Sequence, residues 1–527
     1  MPGDDVVPAS SAQKRFWLLH EMADHAGALT LPLAFELHGD VDLDRLDAAV
    51  AGVVARHEAL RTTFDEVDGL PHQRVTGGRV GIEYLDLCAE YGVDAAAAVE
   101  MFLQDNDSRP FDLIVGPLFG ARLVRLEPRR WLFLLAAHHI AVDAWSLRVV
   151  LREIGELYAG VTLPPPRQFR EAVAAQEEWG RTGEAAEELA HWRDLLAGAP
   201  DPVPLPEAPR RPLRRTYAID QAPIPIDPLV STTMDALAVR SRASRFVVLL
   251  AALSRFWSRT TGSADLVVGT PGGGRPAWQD ESVVGPMINT VLLRVRTDDR
   301  APFSQAVERA KAVTFDALDH DRLPFELVVS ELSPRRATSH SPLCQVMLIT
   351  QDPIGTALSL PGIDVRVLPR PAQLTSDLDL TFIVDAEAAG TGAVLEYATD
   401  LYTEAEATAL AESFAAVLAE SVADPDGLAV GPGIVGFAPD HAVRGPGRRG
   451  HREPIDPAAV SALRDFTAGH GTTELAVALA AVGVLLSRHD GGSEPVLGAL
   501  AGDGPPRAAA LRLDDDPTFH DVVKRVA

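Results

Sequence analysis

Two adjacent histidines and a nearby carboxylate are the residues of this chain best suited to chemistry. His138 and His139 directly follow an apolar run, Trp131 to Ala137, and Asp143 lies four residues beyond the second imidazole. Imidazole changes its protonation state near neutral pH, so it can take up or release a proton during a reaction. A histidine that follows a buried strand also fits a purely structural role. The residues of this stretch alone leave both interpretations open.

The elements around these histidines are a buried strand and a helix. The run from Trp131 to Ala137 is too short to cross a membrane and is typical of a strand that is buried on both faces. Successive side chains of a strand point to opposite faces, so only one of the two imidazoles can face a given cleft. A helical pattern begins near Ser146. The candidate site therefore lies where a strand ends and a helix follows.

Hydrophobic periodicity predicts an alternation of helices and strands along most of the chain. A strand in 109–126 and the histidine strand are expected to form a hairpin around Glu127 to Arg130. The predicted strands lie in 31–39, in 109–126 after a turn, in 131–137 and in 264–276 before a glycine turn. The predicted helices lie in 10–19, in 42–64, where the helix runs into an extended segment, in 94–105, 146–158 and 170–196 and, as a pair, in 228–262.

Composition indicates a globular protein that does not bind nucleic acid or anionic membranes nonspecifically. The 527 residues are 46% hydrophobic and carry a net charge of −26, which disfavours nonspecific binding to nucleic acid or anionic lipid. No basic, apolar leader or membrane-length apolar run is present, so we expect a cytoplasmic protein. Cys88 and Cys344 are far apart and match no metal-binding spacing. Neither a disulfide nor a metal site is expected.

The histidine stretch resembles a known signature. HHIAVDA, residues 138–144, is similar to the HHxxxDG motif of nonribosomal peptide synthetase condensation domains. Epimerisation domains share that motif, but the opening SSAQKRFW and the segment around Asn289 are more similar to condensation domains. Further motifs carry the resemblance in order along residues 9–425: SSAQKRFWLL, RHEALRTTF, FDLIVGPLFG, DLVVGTPGGGRP, VVGPMINTVLLRV and HDRLPFELVVSELSPRRATSHSPLCQVML.

The resemblance implies an α+β fold of two chloramphenicol-acetyltransferase-like lobes arranged as a V. We place the N-terminal lobe in residues 1–200 and the C-terminal lobe in residues 201–430, because the proline-rich segment 199–215 suits neither a helix nor a strand. In the family, a tunnel between the lobes admits two phosphopantetheine arms. One arm carries an acyl or peptidyl thioester and the other carries an amine.

The resemblance also assigns roles to the candidate site residues. His139 is the expected catalytic residue, acting as a base or as the hydrogen-bond acceptor that positions the amine. His138 is expected to be structural. Asp143 is expected to form an ion pair with Arg275 that fixes the loop, since a buried carboxylate requires a partner.

Three more residues are expected at the tunnel or its donor entrance: Ala144, Trp145 and Asn289. Ala144 departs from the motif, which ends in glycine. Its methyl group is expected to narrow the donor entrance, or to demand a negative φ where glycine is free.

An internal repeat defines the end of the chain. After a linker at 431–454, residues 455–504 follow residues 226–274 almost without gaps, and residues 509–527 follow 292–312. Residues 455–527 are therefore interpreted as a partial repeat of the second lobe. This repeat lacks an HHxxxD motif and would leave apolar sheet edges exposed, so we expect it to pack on the main body or to continue into further residues. A structural remnant is favoured over a regulatory or docking function.

Other notable side chains are interpreted as structural or solvated. His57, at a predicted helix end, is expected to be structural, and Trp179 and Trp192 are expected in the core. A set of arginines is expected in solvent, with a binding role as the alternative for the first four and a carrier-protein surface as the alternative for the last two: Arg210, Arg211, Arg214, Arg215, Arg335 and Arg336.

The resemblance implies an acyltransferase of nonribosomal peptide, antibiotic or related natural-product biosynthesis that forms an amide or an ester. The alternative is a noncatalytic condensation-like module that recruits carrier proteins or tailoring enzymes. The chain has no adenylation motif and no carrier-type serine site. Its substrates are therefore expected on the phosphopantetheine of carrier proteins or as a free small-molecule acceptor, with no permanently bound cofactor. The position of the first motif suggests a free-standing enzyme or the front of a larger synthetase.

Overall fold

The structure is a computed structural model in which helices and strands alternate along the chain. It describes residues 6–22, 29–87, 95–107, 109–207, 211–213, 215–275, 278–298, 301–332, 339–351, 357–368, 376–385, 392–427, 496–499 and 507–510. One compact unit comprises Met1–Thr297 with Ser304–Pro425, and a second comprises Asp298–Phe303 with Asp426–Ala527. Within the described residues, no helix is long and apolar enough to cross a membrane.

The described residues form both helices and strands, with more residues in helices. The helices are α1 Ser11–Met22, α2 Leu43–Arg56, α3 Ala95–Asp107, α4 Ala144–Tyr158, α5 Phe169–Trp179, α6 Gly183–Leu196, α7 Pro228–Arg240, α8 Arg245–Thr261, α9 Phe303–Leu318, α10 Phe325–Leu332 and α11 Glu404–Ala423. The strands are β1 Val7–Pro8, β2 Thr30–His38, β3 Thr62–Val67, β4 Leu70–Val75, β5 Ile82–Asp86, β6 Phe119–Glu127, β7 Arg130–His138, β8 Ile219–Pro223, β9 Asp265–Gly272, β10 Asn289–Arg296, β11 Val346–Gln351, β12 Asp364–Val367, β13 Leu380–Asp385, β14 Ala393–Ala398, β15 Val496–Ala499 and β16 Arg507–Ala510.

The first large sheet has the order β12-β2-β7-β6-β5, with the histidine strand β7 at its centre. β6 and β7 form the predicted hairpin, in which Glu127 pairs with Arg130. β7 is buried on both faces, as its apolar run predicted, and Phe133 is fully shielded from solvent. His138 ends the strand opposite Thr30 of β2. The two histidines therefore lie at the C-terminal end of a rigid central strand that is packed on both faces.

A strand from the second half of the chain completes this first sheet. β12 pairs antiparallel with the outer side of β2, with Val367 opposite Phe35. No strand was predicted at 364–367, and local periodicity does not identify the pairing partner of a strand. The first sheet of the main unit thus contains strands from both halves of the sequence.

The second large sheet has the order β10-β9-β11-β13-β14-β8. Its strands β9, β11 and β13 are parallel neighbours, and the remaining pairs are antiparallel. Residues 247–257 of α8 are all buried, so this helix lies inside the second half rather than on its surface. Outside these two sheets, β1, β4 and β3 form a small sheet.

The second compact unit contains two described strands. β15 and β16 pair antiparallel, with Val496 opposite Ala510.

The predicted helix over 170–196 is two helices. α5 ends at Trp179 and α6 begins at Gly183. The hydroxyl of Thr182 accepts a hydrogen bond from the backbone N–H of Ala185 and so caps the second helix. Threonine at such a position stabilises a helix start, which explains the break. Trp179 and Trp192 are buried, as expected.

Two arginines that were expected in solvent are paired inside the protein. Arg215 is 5% exposed and donates to the carbonyl oxygens of Asp377 and Leu378. Arg211 lies 2.6 Å from a carboxylate oxygen of Asp379, whose side chain is fully buried. The prediction was wrong for these two residues because a buried carboxylate requires a cationic partner.

Several predictions fall on parts of the chain outside the described residues. These are Cys88, Arg210, Arg214, Arg335 and Arg336, the linker at 431–454, and the repeat at 455–527 apart from its two described strands.

A buried ion pair joins α2 to α4, the helix that follows the histidine turn. His57 is 1% exposed, and its Nε2 lies 3.0 Å from an oxygen of Glu153. Arg56 donates from Nε to the same oxygen at 2.9 Å. Burial opposes ionisation of Glu153, but the hydrogen bonds from His57 and Arg56 prevail and lower its pKa from 4.5 to about 2. This arrangement agrees with the structural role expected for His57.

We predict that Glu153→Gln lowers the free energy of unfolding at pH 7 by about 2 kcal/mol. Because the pKa of Glu153 is lower in the folded state, its stabilisation is present above pH 4.5 and is lost as the pH falls towards about 2. Urea unfolding of both proteins over this range should show the difference shrinking. Glu156→Gln, on the same helix but outside the cluster, is the control. A difference that does not change with pH would contradict this account.

Candidate active site

A cavity of about 610 Å³ lies where the turn after β7 meets segments of the second half. Its wall includes His139 and Ala144 from the first half and Pro271, Asn289 and Met347 from the second. Leucines of β2 and α1 make part of this wall apolar, while charged side chains occupy another part. The cavity therefore combines a surface for an organic substrate with groups that can bind polar atoms.

His139 lies in the turn after β7 and lines this cavity. Its backbone N–H donates to the carbonyl of Leu29 at 2.8 Å. Its Nδ1 lies 2.9 Å from the carbonyl oxygen of Val142. A carbonyl can only accept, so Nδ1 carries the proton and Nε2 keeps the lone pair in the neutral ring. The Phe16 ring stacks on the imidazole, with centroids 4.2 Å apart and an interplanar angle of 20°.

His138 has the opposite environment. It is 2% exposed, and its Nδ1 accepts the backbone N–H of Ile140 at 3.1 Å. That bond leaves the proton on Nε2, which lies 3.2 Å from Nδ1 of His20. Burial, and then the neighbouring imidazoles of His20 and His139, lower the pKa of His138 well below its usual value. His138 is therefore a neutral, fully bonded residue of the core.

The carboxylate of Asp143 is enclosed by hydrogen-bond donors. Asp143 is 1% exposed and caps α4, accepting bonds from the backbone N–H and the hydroxyl of Ser146 at 2.7 and 2.6 Å. Arg275 donates to both of its oxygens at 3.0 Å, one from each terminal nitrogen. The backbone N–H groups of Met287 and Ile288 add bonds of 3.0 and 3.1 Å. A carboxylate held this way fixes its surroundings instead of accepting a substrate proton.

Arg275 extends this network towards the second half of the chain. Besides Asp143, it donates to the carbonyl oxygens of Gly273 and Val283, at 2.9 and 3.2 Å. Ser146, which was not among the predicted site residues, donates its hydroxyl proton to Asp143 and accepts a hydrogen bond from the backbone N–H of Gly285 at 3.0 Å. A serine three residues after a capping aspartate was the available signal, but its partner is distant in sequence.

The three other predicted site residues also lie on the cavity wall. Ala144 is the first residue of α4, so its backbone is helical and it is absent from the described non-glycine residues with positive φ. An alanine adopts this backbone conformation without strain, so the replacement of the motif glycine changes only the cavity wall, by adding one methyl group. Trp145 is 41% exposed, and its indole N–H donates to the carbonyl of Glu281 at 2.8 Å.

Asn289 is buried, and its side-chain amide is engaged with the backbone of 321–325. Its Nδ2 donates to the carbonyls of Asp321 and Leu323, each at 2.8 Å, and its Oδ1 accepts the N–H of Phe325 at 2.9 Å. The residue thus supports the wall of the cavity by holding this turn.

An ion pair on the cavity wall was missed by the sequence analysis. Arg15 donates to both oxygens of Asp377 at 3.2 and 2.9 Å and lies 3.9 Å from Glu326. Burial opposes ionisation of Asp377, but the charge and hydrogen bonds of Arg15, with a bond from Ser341, lower its pKa. The arginine of the SSAQKRFW motif was a signal for this pair, whereas its partner has no motif of its own.

Comparison with known proteins identifies the family. A family model described as "Condensation domain" matches residues 4–430. The chain is 34% identical over 435 residues to the probable non-canonical nonribosomal peptide synthetase CymA of Salinispora arenicola (strain CNS-205), covering 80% of this chain and 6% of that protein. It is 32% identical over 424 residues to tyrocidine synthase 3 of Brevibacillus parabrevis, covering 80% of this chain and 6% of that protein.

Solved structures show the same mixed α and β fold. The X-domain from teicoplanin biosynthesis aligns with a TM-score of 0.70 at 23% identity, covering 82% of this chain and 98% of that one. The condensation domain of the Monacolin K polyketide synthase MokA aligns with a TM-score of 0.70 at 22% identity, covering 80% and 98%. The chain spans less than a tenth of the two curated relatives but nearly all of each of these structures. On this evidence, the chain belongs to the condensation-domain family of nonribosomal peptide synthetases.

Proposed function

We propose that this chain joins an acyl or aminoacyl group to an amine, forming an amide. The acyl donor is a thioester on the phosphopantetheine arm of a carrier protein, and the acceptor is carried in the same way or is a free small molecule. The observation that supports this most directly is the tautomer of His139, whose Nδ1–H is committed to Val142 and whose ring lines the cavity. A hydroxyl acceptor would give an ester by the same steps.

In the proposed reaction, the amine nitrogen attacks the thioester carbon while Nε2 of His139 accepts a hydrogen bond from the amine. The imidazole takes up the proton as the C–N bond forms, and the C–S bond then breaks. The proton passes to the departing sulfur, so the products are an amide and the free thiol of the arm. Holding the two reactants together contributes about 7–11 kcal/mol to such a reaction, which makes positioning the largest share.

The roles of the other site residues follow from their contacts. Asp143 and Arg275 keep the turn after β7 in place, and His138 supports it from the core. Phe16 holds the plane of the catalytic imidazole through the ring stack. Ala144 and Trp145 border the part of the cavity that we assign to the donor.

We also propose the larger architecture of two chloramphenicol-acetyltransferase-like lobes, residues 1–200 and 201–430, arranged as a V. The two separate large sheets support this division, with β12 as an exchanged strand. For the tail, the linker at 431–454 and the partial repeat at 455–527 stay predictions. The antiparallel pair β15 and β16 supports the repeat, because these strands correspond in sequence to β9 and β10, which also pair antiparallel.

We predict that His139→Ala lowers the rate of amide formation by about 10²–10⁴-fold, because the proton acceptor is lost. The assay supplies a carrier protein loaded with an acyl thioester, together with a panel of amines, and measures the product by mass spectrometry. His72→Ala removes an imidazole outside the cavity and should keep the wild-type rate. Turnover of His139→Ala at the wild-type rate would refute the proposal.

His139→Gln separates two contributions of the imidazole. The glutamine amide oxygen can accept a hydrogen bond from the amine but cannot take up its proton. A rate close to that of His139→Ala indicates proton uptake, and a rate close to that of the wild type indicates alignment alone. Carrier binding without turnover by the wild-type protein would instead favour the recruiting module.

We predict that Asp143→Asn lowers the free energy of unfolding by about 3–5 kcal/mol, since it leaves Arg275 buried without its counter-charge. Asp42→Asn is a matched control, because Asp42 also caps a helix but is exposed. Asparagine caps helices as well as aspartate, so the control should unfold as the wild type does. Equal loss in both variants, measured by urea unfolding, would show that the ion pair contributes nothing beyond the cap.

We predict that Ala144→Gly favours bulky acyl donors by about tenfold in kcat/KM relative to acetyl, because one methyl group leaves the cavity wall. The ratio of the two donors is the measurement, so a general loss of activity cancels. An unchanged ratio would place the donor elsewhere in the cavity.

A further inference from the structure

Two histidines and an aspartate form a cluster outside the cavity that the reaction does not use. His191 lies on α6, Asp316 in the last turn of α9, and His320 two residues beyond the end of α9. One ligand atom from each residue lies within 4.8 Å of the others. Asp316 and His320 are four residues apart, a spacing that brings side chains together along one face of a helix. The cluster therefore connects two segments that are distant in the sequence.

The imidazole of His191 lacks the hydrogen bond that a buried ring nitrogen normally makes. Its Nε2 is buried and has no hydrogen-bond partner in the described part of the chain. The nearest carboxylate oxygen, Oδ2 of Asp316, is 3.5 Å away, which is long for a hydrogen bond. Two ligand atoms on a tetrahedral zinc ion, with bonds of about 2.0–2.1 Å, lie about 3.3 Å apart. The separation thus fits a shared metal ion better than a direct bond.

His320 already has the tautomer of a metal ligand. Its Nδ1 donates to the carbonyl oxygen of Asp316 at 2.8 Å, which leaves the lone pair on Nε2. Metal-binding histidines in proteins are commonly oriented by such a bond from the second ring nitrogen. The carbonyl of His320 also accepts the indole N–H of Trp192 at 3.1 Å, so its backbone is anchored to α6.

The charges around the cluster favour a cation. The carboxylates of Asp316 and Asp194 are close enough to His191 to interact with it electrostatically, and Glu188 interacts with His320 in the same way. Arg322, two residues beyond His320, is engaged with the ring of Trp179 and with Glu184.

We propose that His191, Asp316 and His320 bind one divalent ion of the zinc class, with water at the fourth position. Two nitrogens and one carboxylate oxygen are a ligand set that zinc accepts. The two imidazoles are stacked 3.6 Å apart and parallel within 1°. An ion lies in the plane of each ring that binds it, so the two rings tilt out of this parallel stack when the ion binds. The ion then ties α6 to α9.

The test is calorimetric titration of ZnCl₂ into the full chain, expressed without a histidine tag and cleared of metal with a chelator. We expect one ion per chain. Asp316→Asn, a change at an exposed side chain, should weaken binding at least about tenfold, since even outer-shell changes at metal sites cost 10–100-fold. His191→Asn should abolish binding. His72→Gln is the matched control and should bind as the wild type does.

Two further readouts separate this site from nonspecific binding. Co²⁺ in place of zinc should give the intense visible absorption of a four-coordinate ion in the wild type and not in His191→Asn. Zinc should also raise the melting temperature of the wild type, and at the same zinc concentration it should raise that of Asp316→Asn by less. No bound ion in the wild type, or equal binding by wild type and both variants, would overturn the proposal. Condensation activity is not a readout, so the result is independent of the proposed function.

Discussion

The buried contact between Asp143 and Arg275 is the interaction on which the site depends. Removing a carboxylate and a guanidinium from water is costly, and the cost is met only when nearly every oxygen and N–H finds a partner. Here the carboxylate accepts hydrogen bonds from a backbone N–H at the start of α4 and from both terminal nitrogens of the arginine. Two further backbone N–H groups also donate to it. Those donors come from both halves of the chain. The same network therefore shapes the turn that carries His139 and joins it to the opposite wall of the cavity.

The two neighbouring histidines have the same side chain but different roles, because their surroundings differ. In both rings Nδ1 makes a hydrogen bond to the backbone, but it accepts this bond in one ring and donates it in the other. The N–H of Ile140 makes Nδ1 of His138 an acceptor, whereas the carbonyl of Val142 makes Nδ1 of His139 a donor. Burial keeps the first ring neutral inside the protein, and the second faces the cavity. A pair of adjacent residues thus yields one support and one candidate base.

Local patterns predicted the elements well but not their long-range partners. The apolar run of β7, its hairpin with β6 and the helix after Asp143 follow from periodicity and turn chemistry, which depend on neighbouring residues. The break between α5 and α6 was missed, because an amphipathic pattern can continue across a capped turn. β12 was not predicted to join the first sheet, and Arg211 and Arg215 were wrongly expected in solvent. In each of these long-range cases, the partner lies far away in the sequence.

By itself, the sequence determined the family, the order of the principal helices and strands, and the residue types at the site, because motifs and periodicity are local properties. Only the tertiary structure decided which ring nitrogen of His138 and of His139 carries the proton. It also decided which carboxylates are enclosed and which arginines enclose them. It brought Arg15 to Asp377 and His191 to Asp316 and His320. These outcomes depend on hydrogen bonds and burial between distant segments, and no local pattern of residues contains that information.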